Sequence, residues 1–283
     1  MILTLLLAAA PIQTAPVKAP PATTSRGKAG PSEAGPADVQ EGRFRRCVAL
    51  AATEPAAARA DAGRWRIAGG RYFARQCAGI AFAAEKNWPS AAGEFEAAAR
   101  EAQTAKDARS ANYWAQAGNA WLAAAQPAKA RTALDSALTA GTLTGLELGE
   151  AQLDHARALV ATGDLESART DIDLALTNAA DDPLAWLLSA TLARREGNPA
   201  RAKKDIGEAL RRSADDASVQ LEAGNIAALA GDEDGARAAW GQAARLAPDT
   251  PVGRSAVTAL RQFDAAGDAP RASAPRAGAP VGR

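Results

Sequence analysis

The chain has 283 residues, 47% of them hydrophobic and 23% charged, with a formal net charge of +1. That balance supplies no overall cationic excess for nucleic acid or an anionic membrane surface. A single histidine excludes a histidine-rich metal centre, and alanine, the best helix former, dominates.

Residues Met1 to Ala10 are apolar and uncharged. Ten residues are too few to span a bilayer, which needs roughly 20. Segment 1–15 is therefore expected to be a secretory signal, with an uncleaved anchor as the alternative. Segment 16–38 is rich in Pro and Ala and reads as a disordered linker. Segment 39–71 is helical in pattern. Phe44, Cys47, Val48 and Leu50 mark one amphipathic helix, and Glu54-Pro55 opens a second. The main domain is expected at 72–263. Its last helix, 251–263, carries Val257, Leu260 and Phe263. Segment 264–283 repeats Ala-Pro-Arg and reads as a disordered tail.

Within 72–250 one pattern recurs in segments of 34 residues: 72–105, 111–144, 149–182, 183–216 and 217–250. The twentieth position is Ala91, Ala130, Ala168, Ala202 and Ala236. The twenty-seventh is Ala98, Ala137, Ala175, Ala209 and Ala243. The twenty-fourth is large: Phe95, Leu134, Ile172, Ile206 and Trp240. The eighth is small: Gly79, Gly118, Ala156, Ala190 and Gly224. Paired helices that cross closely need a small residue on one side and a large one to fill the gap. Gly163-Asp164, Gly197-Asn198 and Gly231-Asp232 combine a left-handed helix end with a cap for the next helix. Asp181-Asp182 and Asp215-Asp216 are expected to cap the helix that opens the following segment.

Trp114, Ala117-Gly118, Trp121, Ala130 and Leu134 resemble the signature of the tetratricopeptide repeat family. Ala78-Gly79, Phe82, Ala91 and Phe95 give a second copy, Trp186 another opening aromatic, and Pro248 a closing proline. Gln152 and Gln220 depart from the opening aromatic, and His155 from an expected Leu. The resemblance implies an all-α, right-handed helical-repeat solenoid of about five helix pairs with N- and C-terminal capping helices. Segment 39–71 would be the degenerate N-terminal capping repeat.

Cys47 and Cys77 lie on first helices of adjacent repeats, and first helices pack side by side. An exported chain would join them in a disulfide; two buried free cysteines are the alternative. The chain shows no phosphate loop, nucleophile elbow or metal-ligand spacing, so no enzyme activity, cofactor or metal is expected. His155 reads as a packed or hydrogen-bonded core residue. Of six tryptophans only Trp88, beside Pro89, is expected to be exposed.

The resemblance further implies a concave groove lined by first helices, binding a protein or peptide. The residues carried over are Asn119, Leu153, Arg157, Leu187, Leu188, Arg194, Arg195, Leu221 and Asn225. Apolar positions flanked by Arg and Asn suit a partner with apolar anchors and some acidic character. Asn119 and Asn225 match the family's carboxylate clamp, but its basic partners are missing. The expected role is a scaffold in the cell envelope, periplasmic or otherwise exported. An accessory or glycan-binding module is the alternative. No nucleic acid and no integral membrane span are expected.

Overall fold

The computed structural model describes residues 36–267, which form thirteen α-helices and no strand. The expected signal, most of the linker and most of the tail lie outside the described residues. The helices are α1 (Pro36–Thr53), α2 (Pro55–Ile67), α3 (Arg71–Ala84), α4 (Trp88–Thr104), α5 (Ser110–Ala123) and α6 (Pro127–Thr139). They continue as α7 (Gly145–Thr162), α8 (Leu165–Asn178), α9 (Pro183–Arg195), α10 (Pro199–Arg212), α11 (Ala217–Leu229), α12 (Glu233–Leu246) and α13 (Pro251–Gly267). Helices α3 to α12 are the five registered pairs. Helices α1 and α2 form the expected N-terminal pair, and α13 is the C-terminal cap. The chain divides into two compact units, one ending at Leu192 and the other beginning at Ala193.

Both ends run further into helix than the composition suggests. Helix α1 takes in 36–38, which the linker was expected to hold, with Pro36 at its first position, where a missing N–H costs nothing. Helix α13 takes in 264–267 of the expected tail. Its last turns are held by Phe263, edge-on to Trp240 at 5.3 Å, and by Asp264, which accepts from Arg237 at 3.0 Å.

The small eighth position and the large twenty-fourth meet directly. A Cβ added to Gly79 would lie 2.5 Å from the Phe95 ring, and one on Gly118 would lie 2.4 Å from Leu134. In the second unit, a Cβ on Gly224 would lie 2.4 Å from the Trp240 ring. The alanines at positions twenty and twenty-seven are all fully buried. Where glycine holds the eighth position the pair closes on it, on the large residue opposite and on the two alanines, and the first two such pairs share one core cluster.

The opening aromatic has a polar task. In the fourth repeat, Trp186 donates its indole N–H to the Ala180 carbonyl at 2.7 Å. In the fifth, Gln220 donates to the equivalent carbonyl of Ala214, also at 2.7 Å. A donor of the right reach meets this need, which accounts for one departure from the signature. Gln152 solves a different problem: it is buried and accepts from Asn178 at 3.0 Å.

The turns follow the expected chemistry. Gly163, Gly197 and Gly231 have φ of 89°, 72° and 77°. The residues after them, Asp164, Asn198 and Asp232, accept from the N–H groups of Ser167, Arg201 and Gly235. Asp182 and Asp216 cap α9 and α11. The first two repeats make the same left-handed turn without glycine, at Lys86 and Ala125, with φ of 57° and 54°. Between these repeats, Asp107 accepts from Tyr72 at 2.8 Å and from the Arg109 side chain at 2.9 and 2.6 Å. The Arg109 guanidinium holds the Asp107 carboxyl well below the usual carboxylate range.

Cys47 on α1 and Cys77 on α3 form a disulfide, with Cα atoms 5.9 Å apart. Both residues are buried beside Trp65, whose indole donates to Gln40 at 2.9 Å. The bridge ties the terminal pair to the first registered repeat.

In an ordinary helix interior, Gly→Ala gains about 1 kcal/mol in propensity. Gly118→Ala and Gly224→Ala should instead destabilise by about 1–3 kcal/mol, because the new methyl strikes Leu134 or Trp240. Ala125→Gly should stabilise by about 0.5–1 kcal/mol by relieving the left-handed turn. Urea midpoints at constant slope would read all three; stabilisation by either glycine replacement would refute the packing account.

Reducing the disulfide, or replacing both cysteines by Ser, should cost about 3–4 kcal/mol for a loop of 30 residues in the chain-entropy model. Intact-mass measurement after alkylation without reductant should find no free thiol in protein isolated under oxidising conditions. Two alkylated thiols would show that the bridge does not form there.

Candidate functional site

Within each unit, polar side chains stitch first helices to one another across the repeats. In the first unit, Gln76 on α3 donates to Gln116 on α5 at 3.2 Å. Asn112 on α5 donates to Glu147 on α7 at 3.4 Å, and Asn119 to Asp154 at 2.8 Å. Arg157 donates to the other oxygen of Asp154 at 2.7 Å. In the second unit, Arg194 reaches both oxygens of Glu222, at 2.6 and 3.2 Å. Asn225 donates to Glu222 at 3.0 Å and accepts from the Trp240 indole at 3.1 Å.

This stitching redistributes the expected groove residues. Leu153 is only 2% exposed and packs with Ala175, Ala185 and Leu188 in the core between α7, α8 and α9. Leu221 packs against the cluster around Trp240. Arg157 and Arg194 are neutralised by Asp154 and Glu222, and Asn119 and Asn225 are engaged in the same networks. Leu187 is half-buried and Arg195 exposed, so both remain open to a partner. The expected basic contacts for an acidic partner are thus largely used within the fold.

What the first unit presents instead is acidic. Glu147, Glu150, Asp154 and Asp182 sit together at α7 and the start of α9. Burial first, then Asp182, Asp154 and Glu147, push the Glu150 carboxyl up from its ordinary value. Burial also raises Asp182, more than its bond from Leu184 N–H lowers it, with Asp154 adding to the rise. Asp182 caps α9 as expected, whereas Glu150 lies within α7 and caps no helix. Leu184, whose N–H donates to Asp182, and Leu187, one turn further along α9, are half-buried.

His155 is 9% exposed. Its Nδ1–H donates to Asp171 at 2.6 Å, while Nε2 lies 3.1 Å from Asp135, out of line for a hydrogen bond. The ring thus ties α7 to α8 inside the repeat. Among the described residues no group of three His, Cys, Asp or Glu is arranged to hold a metal ion. Trp88 is half-buried rather than exposed.

Because the folded Glu150 carboxyl binds its proton more tightly than the unfolded one, it favours folding below the unfolded pKa, and that gain is lost as pH rises through the raised folded value. Glu150→Gln should therefore raise stability at pH 7, on the order of 0.5 kcal/mol after solvent screening. The difference from the parent should vanish below about pH 4, where the acid is neutral in both states. Urea midpoints across pH 3–8 give the answer; a variant less stable than the parent at pH 7 would contradict the clustering.

No family model matches the chain, and no curated protein matches it. Among solved structures it is similar to PilW, a widely conserved type IV pilus biogenesis factor, at 16% identity and a TM-score of 0.64, covering 77% of this chain and 98% of that one. It is similar to a tetratricopeptide repeat protein from Parabacteroides merdae at 12% identity and a TM-score of 0.56, covering 80% and 89%. It also resembles YrrB, a tetratricopeptide repeat protein with an unusual peptide-binding site, at 17% identity and a TM-score of 0.50, covering 66% and 91%. With the registered helix pairs, these likenesses show that the chain has the tetratricopeptide repeat fold.

Proposed function

We propose that the chain is a non-enzymatic interaction scaffold that holds a protein or peptide on the face of its first helices. The observation that carries this reading is the surface left open on α7 and α9: half-buried Leu184 and Leu187 together with the carboxylates of Glu150 and Asp182. Such a surface suits a segment with apolar anchors and cationic, rather than acidic, flanks. The peptide-binding site of YrrB, on the same fold, supports the use of a repeat array in this way. Trp65, Trp121 and Trp240 are buried and Trp88, Trp114 and Trp186 half-buried, so no fully exposed ring favours the glycan-binding alternative.

The cell envelope is the proposed setting. An apolar Met1 to Ala10 segment suits export, and the Cys47–Cys77 bridge suits an oxidising compartment. The likeness to PilW, a pilus biogenesis factor, is consistent with that setting.

Leu187→Glu should lower partner retention about 30-fold, the ~2 kcal/mol of a hot-spot residue. Glu166→Lys, on the exposed side of α8, should leave retention unchanged. Affinity capture from envelope extract with both variants, at equal helicity by circular dichroism, is the measurement. Equal retention by the parent and Leu187→Glu would remove this face from the function. Arg194→Glu is unsuited to the purpose, because it would set a second carboxylate against Glu222.

A further inference from the structure

The near-neutral net charge conceals one strongly cationic helix. Helix α10, Pro199–Arg212, reads PARAKKDIGEALRR and carries five cations against two acids. The second helices of the other registered repeats do not share this excess. Helices α4 and α8 each hold more acids than cations, α12 holds equal numbers, and α6 has one cation to spare.

The arrangement on α10 is directional. Ala202, Asp205, Ile206 and Ala209 are buried and define the inward face. At 3.6 residues per turn the opposite arc holds Ala200, Lys203, Lys204, Gly207 and Arg211. Lys203, Lys204 and Arg211 are exposed, and a Cβ placed on Gly207 would meet nothing within 4 Å. Lys203 and Lys204 make no ion pair with any described residue. Arg211 and Arg212 share the single carboxylate of Glu208, and Arg201 takes Asp205. Two positive charges, Lys203 and Lys204, therefore remain unpaired on this arc, and Arg211, about two turns on, shares its carboxylate with Arg212.

We propose that this arc is a docking surface for a bilayer bearing anionic headgroups. The chemistry of the arc selects among anionic partners. Protein hot spots are built from aromatic or aliphatic anchors in pockets, and this arc has only lysine, arginine and the small residues Ala200 and Gly207. Bases and sugars are held by stacking on rings, and no aromatic side chain lies on it. A fluid anionic surface needs neither. Its headgroups rearrange around point charges, and small residues between the cations let the helix lie close to the plane. Contact of this kind is peripheral and salt-screened, worth about fivefold in partition per cation. Two free lysines give weak association, in keeping with a protein that visits a membrane surface rather than one fixed there by this helix.

The test uses the full chain and sedimentation with vesicles of phosphatidylcholine alone or mixed with phosphatidylglycerol. The parent should partition at least tenfold more to the anionic vesicles at low salt, and the excess should disappear near 0.5 M salt. Lys203→Gln with Lys204→Gln should lower the anionic partition about 25-fold while leaving binding to neutral vesicles unchanged. Lys86→Gln with Lys106→Gln, the same change of net charge at exposed sites in the other unit, should have no effect. Equal loss from both pairs would mean net charge and not α10. Equal partition to neutral and anionic vesicles, or salt-sensitive retention on heparin without vesicle binding, would overturn the lipid assignment.

Discussion

The fold depends on how closely two helices can approach within each repeat. In the first two repeats the residue at the eighth position has no side chain, and a large residue from the partner helix occupies the space. Gly79 with Phe95 and Gly118 with Leu134 are the same interaction made twice. In the second unit Trp240 fills the corresponding place against Gly224. Alanines at positions twenty and twenty-seven keep the rest of the seam narrow. Because the close approach is set locally, each repeat fixes its own crossing, and the registered positions matter more than hydrophobicity as such.

This explains which parts of the fold were legible. Small and large residues at a fixed period are steric requirements, and steric requirements leave a residue identity at a predictable place. The turns were legible for the same reason at Gly163, Gly197 and Gly231, where positive φ selects glycine. They were less so at Lys86 and Ala125, which adopt the same conformation at a cost in strain. The opening position was only partly legible. Trp186 and Gln220 look unrelated as side chains, yet each supplies one N–H to the carbonyl six residues earlier. A pattern written in terms of aromatic residues misses an equivalence that lies in hydrogen bonding.

The first-helix face was legible as a location and not as a chemistry. Position in the repeat placed Asn119, Arg157, Arg194 and Asn225 on it. Whether a polar side chain there is available depends on what stands opposite it one repeat along. Asn119 meets Asp154, 35 residues away, and Arg194 meets Glu222, 28 residues away. Such pairings follow from the repeat period combined with the side-chain reach of each partner, so a residue considered alone looks free when it is engaged. Leu153 and Leu188 illustrate the apolar version: first-helix positions, but turned into the seam with Ala175 and Ala185.

The same bookkeeping of pairs changes the sign of the surface. Cancelling Arg157 against Asp154 leaves Glu147, Glu150 and Asp182 as the dominant charges on α7 and at the start of α9, the helix that carries Leu184 and Leu187. Burial, with neighbouring carboxylates adding to it, raises the proton affinity of Glu150 and Asp182, a sign that the folded chain tolerates unfavourable charge there. A purely structural surface would gain stability by replacing one of these acids with a neutral residue. Carboxylates that oppose folding become favourable when a cation arrives to share them, since the repulsion then turns into attraction at the moment of binding. On α10 the charge balance is reversed. Glu208 and Asp205 are too few for the cations around them, and the surplus on Lys203 and Lys204 faces solvent. Each repeat thus spends its registered positions on packing and leaves its specificity to the few charges that its neighbours fail to neutralise.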